Sequence, residues 1–151
     1  CFFCIGTTKK KAPDKNEYRR IEYNIPVEIA QIAKSNSVDS FIYISSLGAN
    51  PNASGNYLKN KGQVEEELKK LNFTKLAILR PSILLGERKE NRVGEKIGMF
   101  VMQMLSPLFL GNLKKIKPIK AEYVAKAMFV IAQNGYQKNV FESDQIVEIS
   151  N

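Results

Sequence analysis

The apolar stretches of this chain are short and uninterrupted, and segments of helical periodicity lie between them. Residues 2–5, 41–44 and 76–79 run apolar with no alternation. A strand with one wet face alternates apolar and polar, whereas a continuous run belongs to a strand buried on both faces. The intervening segments predict helices. One runs from about Tyr18 or Asn24 to Ser35, with Ile25, Ile29, Ile32 and Ala33 on one face. Pro26 is tolerable if regular helix starts near Asn24, and otherwise marks a kink. A second helix spans residues 56–71. A third spans 121–133, with Val124, Met128 and Ile131 on one face and Gly135 as its stop. Residues 97–110 read as one or two helices broken at Pro107, and residues 116–119 as a short strand around Pro118. The tail beyond Val140 is weakly specified. Strands alternating with helices predict an α/β fold with a doubly wound parallel sheet. Such sheets bind ligands at the carboxyl ends of their strands. The segments expected to face a ligand are therefore Gly6-Thr7-Thr8, Ser45-Ser46 and Pro81-Ser82-Ile83.

Composition removes several classes of chemistry. The chain of 151 residues contains no histidine, which excludes His-based triads and His-containing zinc sites. Cys1 and Cys4 flank two phenylalanines. Residues three apart on a strand point to opposite faces, so packing inside a buried strand is expected for them rather than a redox pair. The net charge of +8 is compatible with an anionic partner. No binding motif accompanies it, so a solvated lysine-rich surface is preferred and no nucleic acid is expected. The longest apolar stretch, 97–110, is too short to span a membrane. No secretory leader is visible, and the expected compartment is the cytoplasm. The chain opens inside an apolar run without an initiator methionine, which reads as a fragment.

The chemistry concentrates on the second helix. Tyr57, Lys61, Val64, Leu68 and Leu71 share one face. The three apolar members mark that face as packed on the sheet, so Lys61 breaks the local pattern. Such breaks are expected at functional sites. A tyrosine hydroxyl titrates near about 10 and is a poor base at neutral pH. An ammonium one turn away favours its phenolate. The tyrosine can then exchange a proton with a carbonyl or alcohol while hydride moves to or from a nicotinamide. A serine at the end of the neighbouring strand, Ser46 or Ser45, is placed to hold the same oxygen.

Four stretches carry a family resemblance: Phe3-Cys-Ile-Gly-Thr-Thr8, Phe41-Ile-Tyr-Ile-Ser-Ser-Leu-Gly-Ala49, Tyr57-Leu-Lys-Asn-Lys-Gly-Gln-Val-Glu65, and Leu79-Arg-Pro-Ser-Ile-Leu-Leu-Gly-Glu-Arg-Lys-Glu-Asn-Arg-Val-Gly-Glu95. With them the chain resembles the atypical short-chain dehydrogenase/reductases, and among these the Tat-interacting-protein-like oxidoreductases. The resemblance covers nearly the whole chain and is weakest after Gly111. It implies the C-terminal part, residues 1–151, of a single Rossmann-type NAD(P)-binding domain. It further implies Tyr57 as acid/base, Lys61 as its pKa modifier and ribose ligand, and Ser46 as the carbonyl positioner. Gly6, Thr7, Tyr57 and Lys61 would bind the cofactor, NAD or NADP, with Pro81 and Ile83 on its nicotinamide side. Ser82 stands where relatives often have glycine.

The family's opening strand, glycine-rich turn and helix are absent from this sequence, a stretch of roughly 60–75 residues. Weak or no cofactor binding by this chain alone is therefore expected, and its open sheet edge should be aggregation-prone. Two further readings stand beside an oxidoreductase acting on a small-molecule substrate. One is a regulatory protein that binds NAD(P)H without chemistry. The other is an interaction module, with a protein partner or homodimer formed through 97–110, where Met99, Phe100, Met102, Met104 and Phe109 make an adaptable apolar surface. A helix packing over the substrate pocket or core is preferred for that segment, and residues 88–95 form either a lid or a solvated loop.

Overall fold

A computed structural model describes residues 1–85 and 116–151. The expectations placed on residues 88–95 and 97–110 lie outside the described residues. The elements are β1 (Phe2–Phe3), α1 (Lys15–Arg19), a π-helical turn (Arg20–Asn24), α2 (Ile25–Ser35), β2 (Ser40–Ile44) and α3 (Asn56–Lys70). They continue with β3 (Lys75–Arg80), β4 (Leu84–Leu85), β5 (Ile119–Lys120), α4 (Ala121–Asn134), β6 (Val140–Glu142) and α5 (Ser143–Ser150). The main sheet has the order β1-β2-β3-β6 and is parallel throughout. β4 and β5 form a separate parallel pair.

The apolar runs are explained by cover on both sides. Phe3, Phe41, Tyr43, Leu76 and Ile78 face a core completed by Ala30, Ala33, Val64 and Leu68 of α2 and α3. Ile42, Ala77, Leu79 and Phe141 face a second core completed by Val124, Ala127, Met128, Ile131 and Ile146 of α4 and α5. Successive residues of one strand thus enter opposite cores, as the pleat requires. The expected α/β doubly wound parallel sheet is the architecture observed.

The first helix departs from expectation. It begins earlier, at Asp14, whose carboxylate accepts the Asn16 and Glu17 amides at 3.0 and 2.8 Å. Asp14 followed by Glu17 is a legible capping signal. Helix then continues through Arg20–Asn24 as a π-turn, with the Ile25 amide reaching back to the Arg20 carbonyl. Pro26 is the local reason: it has no amide to give the fourth carbonyl back, and its ring crowds that carbonyl. Beyond the turn, α2 packs through Pro26, Ala30 and Ala33, so that of the predicted stripe Ala33 is buried and Ile25 partly so. Ile29 and Ile32 are exposed, as is Phe2 on β1. Small residues let α2 approach Phe3 and Tyr43 closely, which the isoleucines could not.

Other corrections are smaller. Cys1 and Cys4 are exposed free thiols at either side of a two-residue strand, not buried strand residues. The strand expected around Pro118 is confined to Ile119–Lys120. The tail forms β6 and α5, linked by a capping box in which Gln145 Oε1 accepts the Glu142 amide at 3.0 Å.

Gly62 fixes how α3 meets the loop after β2. A Cβ there would lie 2.3 Å from the Asn50 carbonyl carbon and the Pro51 nitrogen. Both are backbone atoms, so the whole loop would have to move. Gly62→Ala is therefore expected to destabilise the fold by about 1–3 kcal/mol, read as a lower denaturant midpoint. An unchanged midpoint would mean that the loop yields freely.

Candidate active site at the carboxyl ends of the strands

The segments expected to face a ligand do gather at one edge of the sheet. The Ser45 amide donates to the Leu79 carbonyl at 2.7 Å, and the Leu47 amide donates to the Pro81 carbonyl at 3.0 Å. These bonds carry the β2–β3 pairing past the strand ends and hold the two exits side by side. The β1 exit is joined to the site differently. The Thr7 amide donates to Glu22 Oε1 at 2.6 Å, across to the π-turn.

Tyr57 and Lys61 lie one turn apart near the start of α3, and their environments differ. Tyr57 is 39% exposed, whereas Lys61 is only 5% exposed. Lys61 points inward under the strand ends. Its Nζ lies 3.2 Å from Glu22 Oε2 and donates to the Ile44 carbonyl at 3.3 Å. It also sits 5.0 Å from the centre of the Tyr43 ring and 5.9 Å from that of Tyr57. Burial pulls the Lys61 ammonium below the usual lysine range, and the carboxylate of Glu22, then that of Glu65, opposes the fall. Burial likewise pushes Tyr43 well above the usual phenol range, with Glu22 adding to it. Tyr18, beside Glu22, is pushed up to about 12, again mainly by burial.

The two candidate serines separate. Ser45 is buried, and its hydroxyl donates to Glu65 Oε1 at 2.5 Å. Ser46 is half-buried, and its Oγ lies 3.4 Å from the Leu47 carbonyl, too far for a strong bond. Ser46 is thus the serine whose hydroxyl is available to an incoming oxygen. Gly6 is exposed and Thr7 half-buried at the β1 exit, Pro81 is buried at the β3 exit, and Ile83 is 50% exposed beyond it. Ser82 uses its side chain in a way glycine cannot: Oγ donates to the Lys117 carbonyl at 2.5 Å, and its amide donates to Ser143 Oγ at 3.3 Å.

Sequence reasoning missed the charged network beneath these groups. Arg80 Nε and Nη2 grip the two oxygens of Glu65 at 2.9 and 2.6 Å, and Nη1 reaches Glu142 at 3.2 Å. Glu65 is four residues beyond Lys61 on the same helix, so an acidic residue on a buried stripe was the available signal. Removing one partner of a buried pair leaves an uncompensated charge. Arg80 is 23% exposed at its side chain, so its removal belongs at the mild end of that range. Arg80→Met is expected to cost about 3 kcal/mol by urea unfolding, with part recovered in Arg80→Met/Glu65→Gln. A double variant no more stable than the single would overturn the pairing.

Among the described residues no helix is long and apolar enough to cross a membrane, and no group of three or more acidic or sulfur ligands is arranged to hold a metal ion.

No family model matches the chain. Individual proteins do. It is 38% identical over 141 residues to the protein FMP52-1, mitochondrial, of Scheffersomyces stipitis, covering 91% of this chain and 60% of that protein. It is 34% identical over 154 residues to the protein FMP52, mitochondrial, of Candida albicans, covering 97% of this chain and 66% of that protein. The protein HTATIP2 of Rattus norvegicus is 37% identical over 94 residues, 62% of this chain and 38% of that protein. The chain therefore spans about three fifths to two thirds of the length of these FMP52 relatives. Among solved structures, a UDP-N-acetylglucosamine 4-epimerase from Methanobrevibacter ruminantium superposes with a TM-score of 0.64 at 17% identity, over 92% of this chain and 52% of that one, which speaks to the fold. The expectation of a cytoplasmic protein is overturned, because the FMP52 relatives are named mitochondrial. That expectation rested on seeing no leader, and the lack of one in a stretch of sequence carries no address. The matches to FMP52 and HTATIP2 proteins, on a Rossmann-type parallel sheet, establish for this chain an atypical short-chain dehydrogenase/reductase relationship.

Proposed function

We propose that this chain carries the substrate-side half of an NAD(P)-dependent oxidoreductase site, with Tyr57, Lys61 and Ser46 as its working groups. The observation that carries the reading is the buried Lys61 ammonium, one helical turn from a partly exposed Tyr57, at the carboxyl ends of parallel strands. An amine charge is rarely kept in such a place without use.

The residues present fit the nicotinamide-ribose side of a dinucleotide. An ammonium has three donors; on Lys61 one goes to the Ile44 carbonyl, and Glu22 faces the ammonium as an ion pair. A remaining donor suits a ribose hydroxyl. Gly6 leaves the β1 exit open, bounded only by Glu22 within van der Waals reach of a side chain there. A bound NAD(P)H supplies hydride to a carbonyl carbon. Ser46 donates a hydrogen bond to the carbonyl oxygen and orients it. Tyr57 gives its phenolic proton to that oxygen as the alcohol forms, and takes it back in the reverse direction. The Lys61 charge favours the phenolate left behind. The substrate is a carbonyl compound or a nucleotide sugar, and the site of action follows the mitochondrial relatives.

In the full-length protein, Tyr57→Phe is expected to lower kcat for carbonyl reduction by about 100-fold or more, with NADPH affinity by fluorescence titration unchanged. Unchanged turnover would end the catalytic reading. Tight NADPH binding without turnover over a broad carbonyl panel would instead favour a regulatory binding protein, for which the side-chain bonding of Ser82 at the nicotinamide-facing turn is the supporting observation.

A further inference from the structure

We propose that Glu22 is the positioning residue for Lys61, holding its ammonium under Tyr57 and coupling it to the turn after β1 on which the cofactor would lie. This deepens the oxidoreductase reading and rests on it for the role of Lys61, but the geometry stands by itself.

Glu22 is 1% exposed, and a carboxylate so placed must be paired or hydrogen-bonded. Each of its oxygens has one partner. Oε1 accepts the Thr7 amide at 2.6 Å, and Oε2 faces Lys61 Nζ at 3.2 Å. One carboxylate thus connects the β1 exit to the base of α3. The fit is close on the turn side too, since a Cβ on Gly6 would come within 3.2 Å of Oε1. The backbone that aims Glu22 inward is the π-turn, and such turns recur at functional sites.

Among the described residues, no other carboxylate is free to do this for Lys61. The groups facing it among those residues are Glu22 from the π-turn, Tyr43 from β2, and Tyr57 and Glu65 from α3, and Tyr18 of α1 lies beside Glu22. Glu65 is engaged by Nε and Nη2 of Arg80 and by Ser45. Burial pushes Tyr43 and Tyr18 above the usual phenol range, so neither supplies a negative charge at neutral pH. Without Glu22, the Ile44 carbonyl would be the one direct acceptor left to the ammonium among the described residues. It would then lose its proton at lower pH or swing away, and Tyr57 would lose the neighbouring charge.

The test follows the Lys61 side-chain nitrogen by NMR on 15N-labelled protein, with no cofactor added, assigned through Lys61→Met. In the wild type, its ammonium protons should exchange slowly enough to be seen at neutral pH. In Glu22→Gln the titration midpoint of Lys61 should fall by about one unit, a tenfold change in protonation. Glu22→Asp keeps the charge on a shorter arm and should recover part of the shift. A merely structural glutamate would lower the melting temperature without moving the Lys61 midpoint, and an equal midpoint in Glu22→Gln and wild type would overturn the proposal. If Glu22→Gln does not fold, absence of a slowly exchanging Lys61 ammonium in the wild type would overturn it equally. The readout needs no turnover, so it can succeed where the Tyr57→Phe experiment fails, and the reverse.

Discussion

β2 and β3 are the centre of the sheet, and helices cover both of their faces. Water reaches neither, so Phe41, Ile42, Tyr43, Ile78 and Leu79 are essentially fully buried. No polar side chain can be placed along such strands without a large desolvation cost. Functional chemistry is therefore confined to the strand ends. Ser45, Lys61, Glu22, Glu65 and Ser143 are buried polar groups, and all of them lie at or beside the carboxyl ends.

That crowding of charge is stable because the carboxylates are divided between the cations. Glu65 goes to Arg80, with Glu142 behind it, and pins the exits of β2, β3 and β6 to α3. Glu22 goes to Lys61 and pins the exit of β1 to the same helix. The pairs differ in kind. The arginine fork meets a carboxylate in two parallel bonds, which suits a rigid strut. The lysine is a single rotatable head whose protonation responds to its surroundings, which suits a group that must tune a neighbour. Ser45 is drawn into the first network, whereas the Ser46 hydroxyl makes only a long contact with the Leu47 carbonyl among the described residues.

Much of the architecture was legible because it depends on local rules. Uninterrupted apolar runs mark two-sided strands, and three of the four main strands announce themselves in this way. β6 does not: it is three residues long and pairs only with β3, so no run is long enough to read. The buried face of α2 was misjudged for a different reason. Periodicity favours the larger residues, whereas helix-to-strand distance favours the smaller, and Pro26 and Ala30 join the expected Ala33 in place of Ile29 and Ile32.

The sequence by itself determined the parallel α/β plan, the placing of Tyr57 and Lys61 on one helical face, and the turns that bound the ligand edge. Each follows from spacing along one element. Only the tertiary structure decided that Lys61 is buried against Glu22, that Glu65 serves Arg80, and that Ser46 rather than Ser45 is left available. Those outcomes join residues 15 to 39 positions apart in the chain, and they turn on which carboxylate each cation reaches once the sheet has closed. A pairing of that kind is a matter of distances in space, and local periodicity holds no record of it.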